Sequence, residues 1–267
     1  MINNNGITFG ICTYNRKEIL LKSVNSLRLI NGFDDIDIRV YDDCSDDFDI
    51  RFLEELFPKT AHIVRNNRNL GADRNTSLMY EDFLKTDNMW LFNADSDLIY
   101  RKDLMEAISK YKSQCDGIIS FYNSFSHNDL GNEGEELVIK DNVGAAGCLI
   151  RRDIVEVILH GIKNNKMHFD IKFSKFLRNN GLKLYATKHS YVQHIGVNGF
   201  NSRDINFDYG KNFLCDSIYN ATIIESTFEN YIESVINFRK RKTWKVYYFV
   251  ISIHRRIKKL FFFMKIK

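Results

Sequence analysis

Trp90-Leu91-Phe92-Asn93-Ala94-Asp95-Ser96-Asp97 joins an apolar run to a pair of acidic residues. Met89 to Phe92 reads as a buried strand, and it runs out into two carboxylates one residue apart before Leu98-Ile99-Tyr100 resumes apolar character. In an extended segment residues i and i+2 point the same way, so Asp95 and Asp97 can face one small volume beyond the strand end. Two neighbouring carboxylates repel unless a cation or a donor sits between them. A hard divalent ion, Mg2+ or Mn2+, bound by oxygen and shared with substrate phosphates, is one way to keep both ionised. A solvated turn with aspartate as turn former is the other.

The segments on the N-terminal side repeat the same plan. Ile7 to Tyr14 is a short apolar strand, and Asn15-Arg16-Lys17-Glu18 leads into a helix with Leu20, Val24 and Leu27 on one stripe. Ile36 to Tyr41 is a second strand that ends in the acidic run Asp42-Asp43-Cys44-Ser45-Asp46-Asp47, followed by a helix over Arg51 to Phe57 with Asp49 as N-cap. His62 to Arg65 is a third strand, and the helix after it carries Ala72, Thr76, Met79 and Phe83 on one face. Alternating strands and helices at this spacing predict an α/β fold, a mostly parallel sheet with helices on both faces. Ligands of such sheets sit beyond the carboxyl ends of the strands. Thr13 to Arg16, Asp42 to Asp47 and Asp95 to Asp97 all lie at such ends, which favours the metal reading over the turn.

The rest of the composition narrows the class. With 267 residues and 44% apolar content there is ample chain to bury a sizeable core. The five cysteines are odd in number and never in a C-x-x-C pair, which argues against a disulfide framework or zinc site and for a reducing, cytoplasmic setting. The N-terminus reads as free of a signal peptide, and no apolar run is long enough to span a bilayer. Arg239 to Lys267 carries eleven Lys and Arg with no Asp or Glu, so the +4 of the whole chain becomes −7 over residues 1–238. An acidic body with a basic tail is a poor fit to nucleic-acid binding. Neither a G-x-G-x-x-G after the first strand nor a G-x-x-x-x-G-K-[ST] is present, against a dehydrogenase or a P-loop enzyme. The run 42–47 also lacks the glycine and glutamate of an EF-hand.

Four segments now carry a resemblance: Thr13-Tyr14-Asn15-Arg16, Asp42-Asp43-Cys44-Ser45-Asp46, Asn69-Leu70-Gly71-Ala72-Asp73-Arg74-Asn75 and Asp95-Ser96-Asp97. Their order and spacing resemble GT-A glycosyltransferases of the large family 2 group. The resemblance implies a nucleotide-sugar half over residues 1–100, an acceptor half over 101–227, and a basic helical tail over 228–267. It implies an enzyme that moves a sugar from a nucleotide diphosphate, UDP favoured, to a glycan or lipid-linked acceptor, by direct displacement with inversion. It would place Thr13, Tyr14 and Asp43 around the nucleobase, Arg16 and Arg74 at the nucleotide, Asp95 near the ribose or sugar and Asp97 on a Mn2+ or Mg2+ ion. Asn93 and Ala94 depart from the commoner acidic residue just before this motif. A nucleotidyltransferase on a similar sheet, or a sugar-binding scaffold without catalysis, are the alternatives; the first usually carries a glycine-rich basic loop after the first strand, which Cys12 to Arg16 is not.

The second half is less stereotyped. Gly117 to Phe121 reads as a strand, Ser124 to Glu136 as a polar loop, and Gly144 to Arg152 as small residues ahead of a short strand. Those small residues suit either close approach of backbone to the sugar or tight packing. Asp170 falls at the start of a helix with Phe169, Phe173, Phe176 and Leu177 on one stripe, where a carboxylate is an ordinary cap; the resemblance makes it the general base, with Asp204 and Asp208 as reserves. His194 ends an apolar run, where a lone histidine is commonly structural; the resemblance makes it the second metal ligand, with Asn198 to Tyr209 as a loop closing over the donor. In the tail Val246, Phe249, Ile253, Ile257, Leu260 and Met264 recur at helical spacing amid lysines and arginines. Such a helix fits an anionic membrane surface, making the protein peripheral at the inner face of the cell membrane. Docking on the body, or on a second copy as a homodimer, is the rival.

Overall fold

The computed structural model describes residues 6–162, 169–197 and 208–240. Among the described residues, eleven strands and seven α-helices follow one another. β1 (Ile7–Thr13), α1 (Lys17–Leu27), β2 (Asp37–Asp42), α2 (Ile50–Leu56), β3 (His62–Arg65), α3 (Ala72–Phe83) and β4 (Trp90–Asn93) are the strand–helix repeats expected from the periodicity. Then come β5 (Leu98–Tyr100), α4 (Leu104–Tyr111), β6 (Ile118–Ser120), β7 (Asp129–Glu133), β8 (Leu137–Lys140), β9 (Cys148–Arg151), α5 (Arg152–Ile162), α6 (Phe169–Asn179), β10 (Leu184–Thr187), β11 (Val192–His194) and α7 (Ile218–Lys240).

Nine strands form one sheet in the order β3-β2-β1-β4-β9-β6-β10-β8-β7. Its first four strands are parallel neighbours, and β9 then runs antiparallel between β4 and β6. Because β2 and β3 lie to one side of β1 and β4 to the other, the order reverses between β1 and β4. The crevice outside their carboxyl ends is where such a sheet takes its ligand. β1 and β4 are buried along nearly their whole length, as strands covered on both faces must be. Phe9 and Phe92 stack across them with ring centroids 4.5 Å apart, at the centre of the main core. A second core cluster on the other face of the sheet joins Met79, Tyr80 and Phe83 of α3 to Ile154, Val155 and Ile158 of α5 and Phe173 of α6.

One detail differs from the reading of the sequence. Ser124 to Glu136 is not wholly a loop: β7 forms the sheet edge with every residue exposed, so no apolar alternation marked it. β11 pairs antiparallel with β5 in a separate sheet of two strands. Contacts divide the chain into one unit of Met1–Gly196 with Asp208–Ile223, and another of Val197–Phe207 with Ile224–Lys267. In the second unit α7 from Ile224 onward is the regular element among the described residues. No helix among the described residues is long and apolar enough to cross a membrane.

Candidate active site

The small sheet explains how the site is assembled. Leu98 of β5 is the register partner of His194, and the Ile195 N–H donates to the Asp97 carbonyl at 2.9 Å. Pairing the two short strands therefore carries the His194 side chain to Asp97, whose Oδ2 lies 3.1 Å from His194 Nε2. Arg16 Nη1 reaches the same oxygen at 3.0 Å from the turn after β1. Asp97 is 6% exposed, and room for it depends on Gly196: a Cβ there would stand 2.2 Å from Asp97 Oδ2. Burial alone would raise the Asp97 carboxyl, but His194 and Arg16 outweigh it and hold it well below the usual carboxylate range. His194 moves the other way, above its ordinary value, because Asp97, helped by Asp95, overrides its own burial and the opposing charge of Arg16.

The crevice has further polar lining. Thr13 Oγ1 at the end of β1 and Asn93 Oδ1 at the end of β4 are buried without a protein hydrogen-bond partner, and the buried Tyr122 hydroxyl just past β6 lies against the Asp208 carboxylate. Buried polar atoms are ordinarily paired, so unpaired ones converging on one sheet edge mark a place for a polar ligand. The Tyr122 hydroxyl is pushed far up by burial and by the nearby carboxylates of Asp208 and Asp97. Asp208 itself is engaged, accepting from Ser124 Oγ at 2.8 and 2.9 Å and from Ser126 Oγ at 3.0 Å. Asn93 has a local reason to be an amide, since its Nδ2 donates to the Ala145 carbonyl at 3.1 Å and an aspartate would set two acceptors face to face. Gly147 is explained by packing: a Cβ there would meet Val192 Cγ2 at 2.6 Å.

The other residues singled out from the sequence are placed differently. Asp43 Oδ1 accepts from Asn66 Nδ2 and from the Leu70 N–H, and its Oδ2 accepts from the Gly71 N–H, all at 2.8–2.9 Å. It holds the 66–71 loop beside the crevice. Arg74 points outward and pairs with Glu81 at 3.1 Å with half its side chain exposed, so it is not gathered with Asp97. Tyr14 is 39% exposed. Asp95, two residues before Asp97, is half-buried and acts electrostatically on His194. Asp170 is the second residue of α6; its side chain, Asp204 and most of the loop 198–209 lie outside the described residues. So does the tail beyond Lys240. Sequence reasoning missed Tyr122 and Gly196. The first followed the same pattern of a polar residue at a strand end, and the second stood in the His-Ile-Gly triplet.

Among the described residues no group of three or more His, Cys, Asp or Glu side chains is arranged to hold a metal ion. Asp97 and His194 still fit one in part. The separation of their donor atoms, 3.1 Å, is close to that of two adjacent ligands of an octahedral ion with bonds of about 2.1 Å. A carboxylate and an imidazole also suit a hard or borderline ion that draws its remaining ligands from phosphate and water.

Comparison with known proteins agrees with this architecture. No curated protein matches the chain in sequence. Among solved structures, that of S. aureus TarS 1-349 superposes with a TM-score of 0.54 at 14% identity over 70% of this chain and 59% of that one. The same protein in complex with UDP-GlcNAc gives 0.53 at 14% identity, over 70% and 57%. Its complex with UDP gives 0.52 at 14% identity, over 70% and 59%. The chain thus spans under two thirds of the length of these structures, and at such identity they speak to the fold. The family model described as "Glycosyl transferase family 2" matches residues 8–179, from the first residues of β1 to the end of α6. With this match over more than half of its length, on a GT-A sheet with the acidic motif at the switch point, the chain belongs to the family 2 glycosyltransferases.

Proposed function

We propose that this glycosyltransferase uses a UDP-sugar and a divalent ion, Mn2+ or Mg2+, to add one sugar to a hydroxyl of a surface glycan or lipid-linked intermediate, with inversion. The observation that carries the reading is the meeting of Asp97 and His194 at the mouth of the β1/β4 crevice, 3.1 Å apart, with Asp97 kept ionised. The TarS complexes with UDP-GlcNAc and UDP support this class of donor on a similar fold.

In this reading Asp97 and His194 hold the ion, and Asp95 accepts from a hydroxyl of the donor. Bound there, the ion supplies positive charge that stabilises the leaving diphosphate. Thr13 offers its unpaired hydroxyl to the nucleobase. Asp43 serves that pocket indirectly, by fixing the Asn66 to Gly71 loop. Asp170 takes the proton of the acceptor hydroxyl as that oxygen attacks the anomeric carbon. The basic tail over 239–267 rests on an anionic membrane at the inner face of the cell, beside a lipid-carried acceptor.

UDP release from a panel of UDP-sugars, with Mn2+ and then with chelator, tests the reading. Turnover that survives chelation removes the metal role. Asp170→Asn is expected to abolish transfer and leave UDP binding intact, and a fully active variant would remove that base. Sedimentation with anionic vesicles, before and after truncation at Lys240, separates membrane attachment from dimer formation.

A further inference from the structure

Arg16 sits in a turn that is held from outside. Asn15 and Arg16 both adopt the left-handed conformation, with φ of 52° and 59°, which non-glycine residues take at a cost. The Asn15 N–H donates to Ser45 Oγ at 2.7 Å, the Asp46 N–H donates to Asn15 Oδ1 at 2.7 Å, and the Lys17 N–H donates to Asp47 Oδ2 at 3.0 Å. The acidic loop after β2 therefore clamps this turn, and the clamped turn delivers the Arg16 guanidinium to Asp97.

That delivery creates a conflict. Arg16 Nη1 and His194 Nε2 approach the same oxygen, Asp97 Oδ2, at 3.0 and 3.1 Å. A divalent ion bound to that oxygen at about 2.1 Å would stand within about 5 Å of Nη1, where two cations repel strongly in a partly desolvated pocket. A third of the Arg16 side chain remains exposed, so the guanidinium can turn to another anion without leaving the site. A diphosphate is the anion its planar fork matches best.

We infer that Arg16 is a transferable counter-charge: it neutralises Asp97 while the pocket is empty and passes to the donor diphosphate when the ion enters with the nucleotide. Ion and nucleotide then bind well only together. The ion alone meets Arg16, and the nucleotide alone finds Arg16 already taken by Asp97. The inference rests on the metal and UDP reading above.

Calorimetry on the full chain tests it, titrating Mn2+ alone, UDP alone and UDP with saturating Mn2+. For wild type the affinity for UDP is expected to rise about 100-fold when Mn2+ is present, within the usual span of coupling between sites. Arg16→Gln is expected to bind Mn2+ alone about 10-fold more tightly and UDP–Mn2+ about 10-fold more weakly, two changes of opposite sign. Arg16→Lys, which keeps the charge and loses the fork, should leave Mn2+ alone as weak as in wild type. If Arg16→Gln weakens Mn2+ binding or leaves it unchanged while wild type binds UDP–Mn2+, the counter-charge idea is overturned and the donor reading stands. If wild type binds no UDP–Mn2+, both fall. Should the Gln variant not fold, wild type still decides: UDP affinities equal with and without Mn2+ overturn the inference.

Discussion

Two acidic strand ends look alike in the sequence, Asp42 to Asp47 after β2 and Asp95 to Asp97 after β4, and the fold spends them in opposite ways. After β2 the carboxylates are consumed by the protein. Asp42 takes Arg65 Nη1 at 2.6 Å and the Ser45 hydroxyl at 2.5 Å, Asp43 takes three donors of the 66–71 loop, and Asp47 takes the Lys17 N–H. After β4, Asp97 is met by two side chains from distant parts of the chain, both ionisable. An aspartate whose donors belong to the loop it ties down is a strut, as Asp43 is to the 66–71 loop. Asp97, answered by two ionisable side chains beside the crevice, one of them a third exposed, can exchange them for a ligand.

That contrast can be broken at several points. The largest effect is expected at Asp97: Asp97→Asn should remove Mn2+-dependent UDP binding and transfer by at least about 100-fold, as loss of a charge-stabilising group does, while urea unfolding stays near wild type. Gly196→Ala should follow closely, since its methyl would press on Asp97 Oδ2; UDP–Mn2+ affinity is expected to fall more than stability does. Asp42→Ala should do the reverse and lower stability by about 2–3 kcal/mol, because Arg65 and Ser45 lose their partner, with the metal affinity of the folded fraction unchanged. Asp43→Asn keeps one acceptor of two and should cost about 1 kcal/mol, visible as faster amide exchange at Leu70 and Gly71.

The smallest effect concerns pH. Asp97 is lowered in the folded protein, so its stabilisation is full above the unfolded value, about 3.9, and is lost as pH falls through the lower folded value. His194 is raised, so its share is full below about 6.5 and is lost as pH rises through the higher folded value. In the absence of metal, the stability difference between wild type and Asp97→Asn, about 1 kcal/mol, should be greatest between those limits and shrink on either side. A difference that keeps growing above neutrality would show that His194 is not the partner that matters.

Much of this was legible in local pattern. Buried β1 and β4, the α1 stripe of Leu20, Val24 and Leu27 and the Asp49 cap, which accepts from the Phe52 N–H at 3.1 Å, follow from period and capping chemistry alone. β7 was not legible, because an edge strand exposed throughout has no buried face to impose alternation. The partition between Asp43 and Asp97 was not legible either. Both are aspartates at strand ends, and the difference lies in which donors a loop far along the chain brings. Arg74 misled for another reason: Glu81 stands seven residues further along the same helix, a spacing readable from period alone, but which way that face turns relative to the crevice is set by tertiary packing.

The pairing of Leu98 with His194 also has a temporal side. Domains are made from the N-terminus onward, and distant contacts close last. Every motif that names this family has left the ribosome long before β11 exists, so a growing or truncated chain can display the whole nucleotide-sugar half without His194 beside Asp97. In such a chain the acidic motif lacks one of its two partners, and Asp97 is left to Arg16 alone.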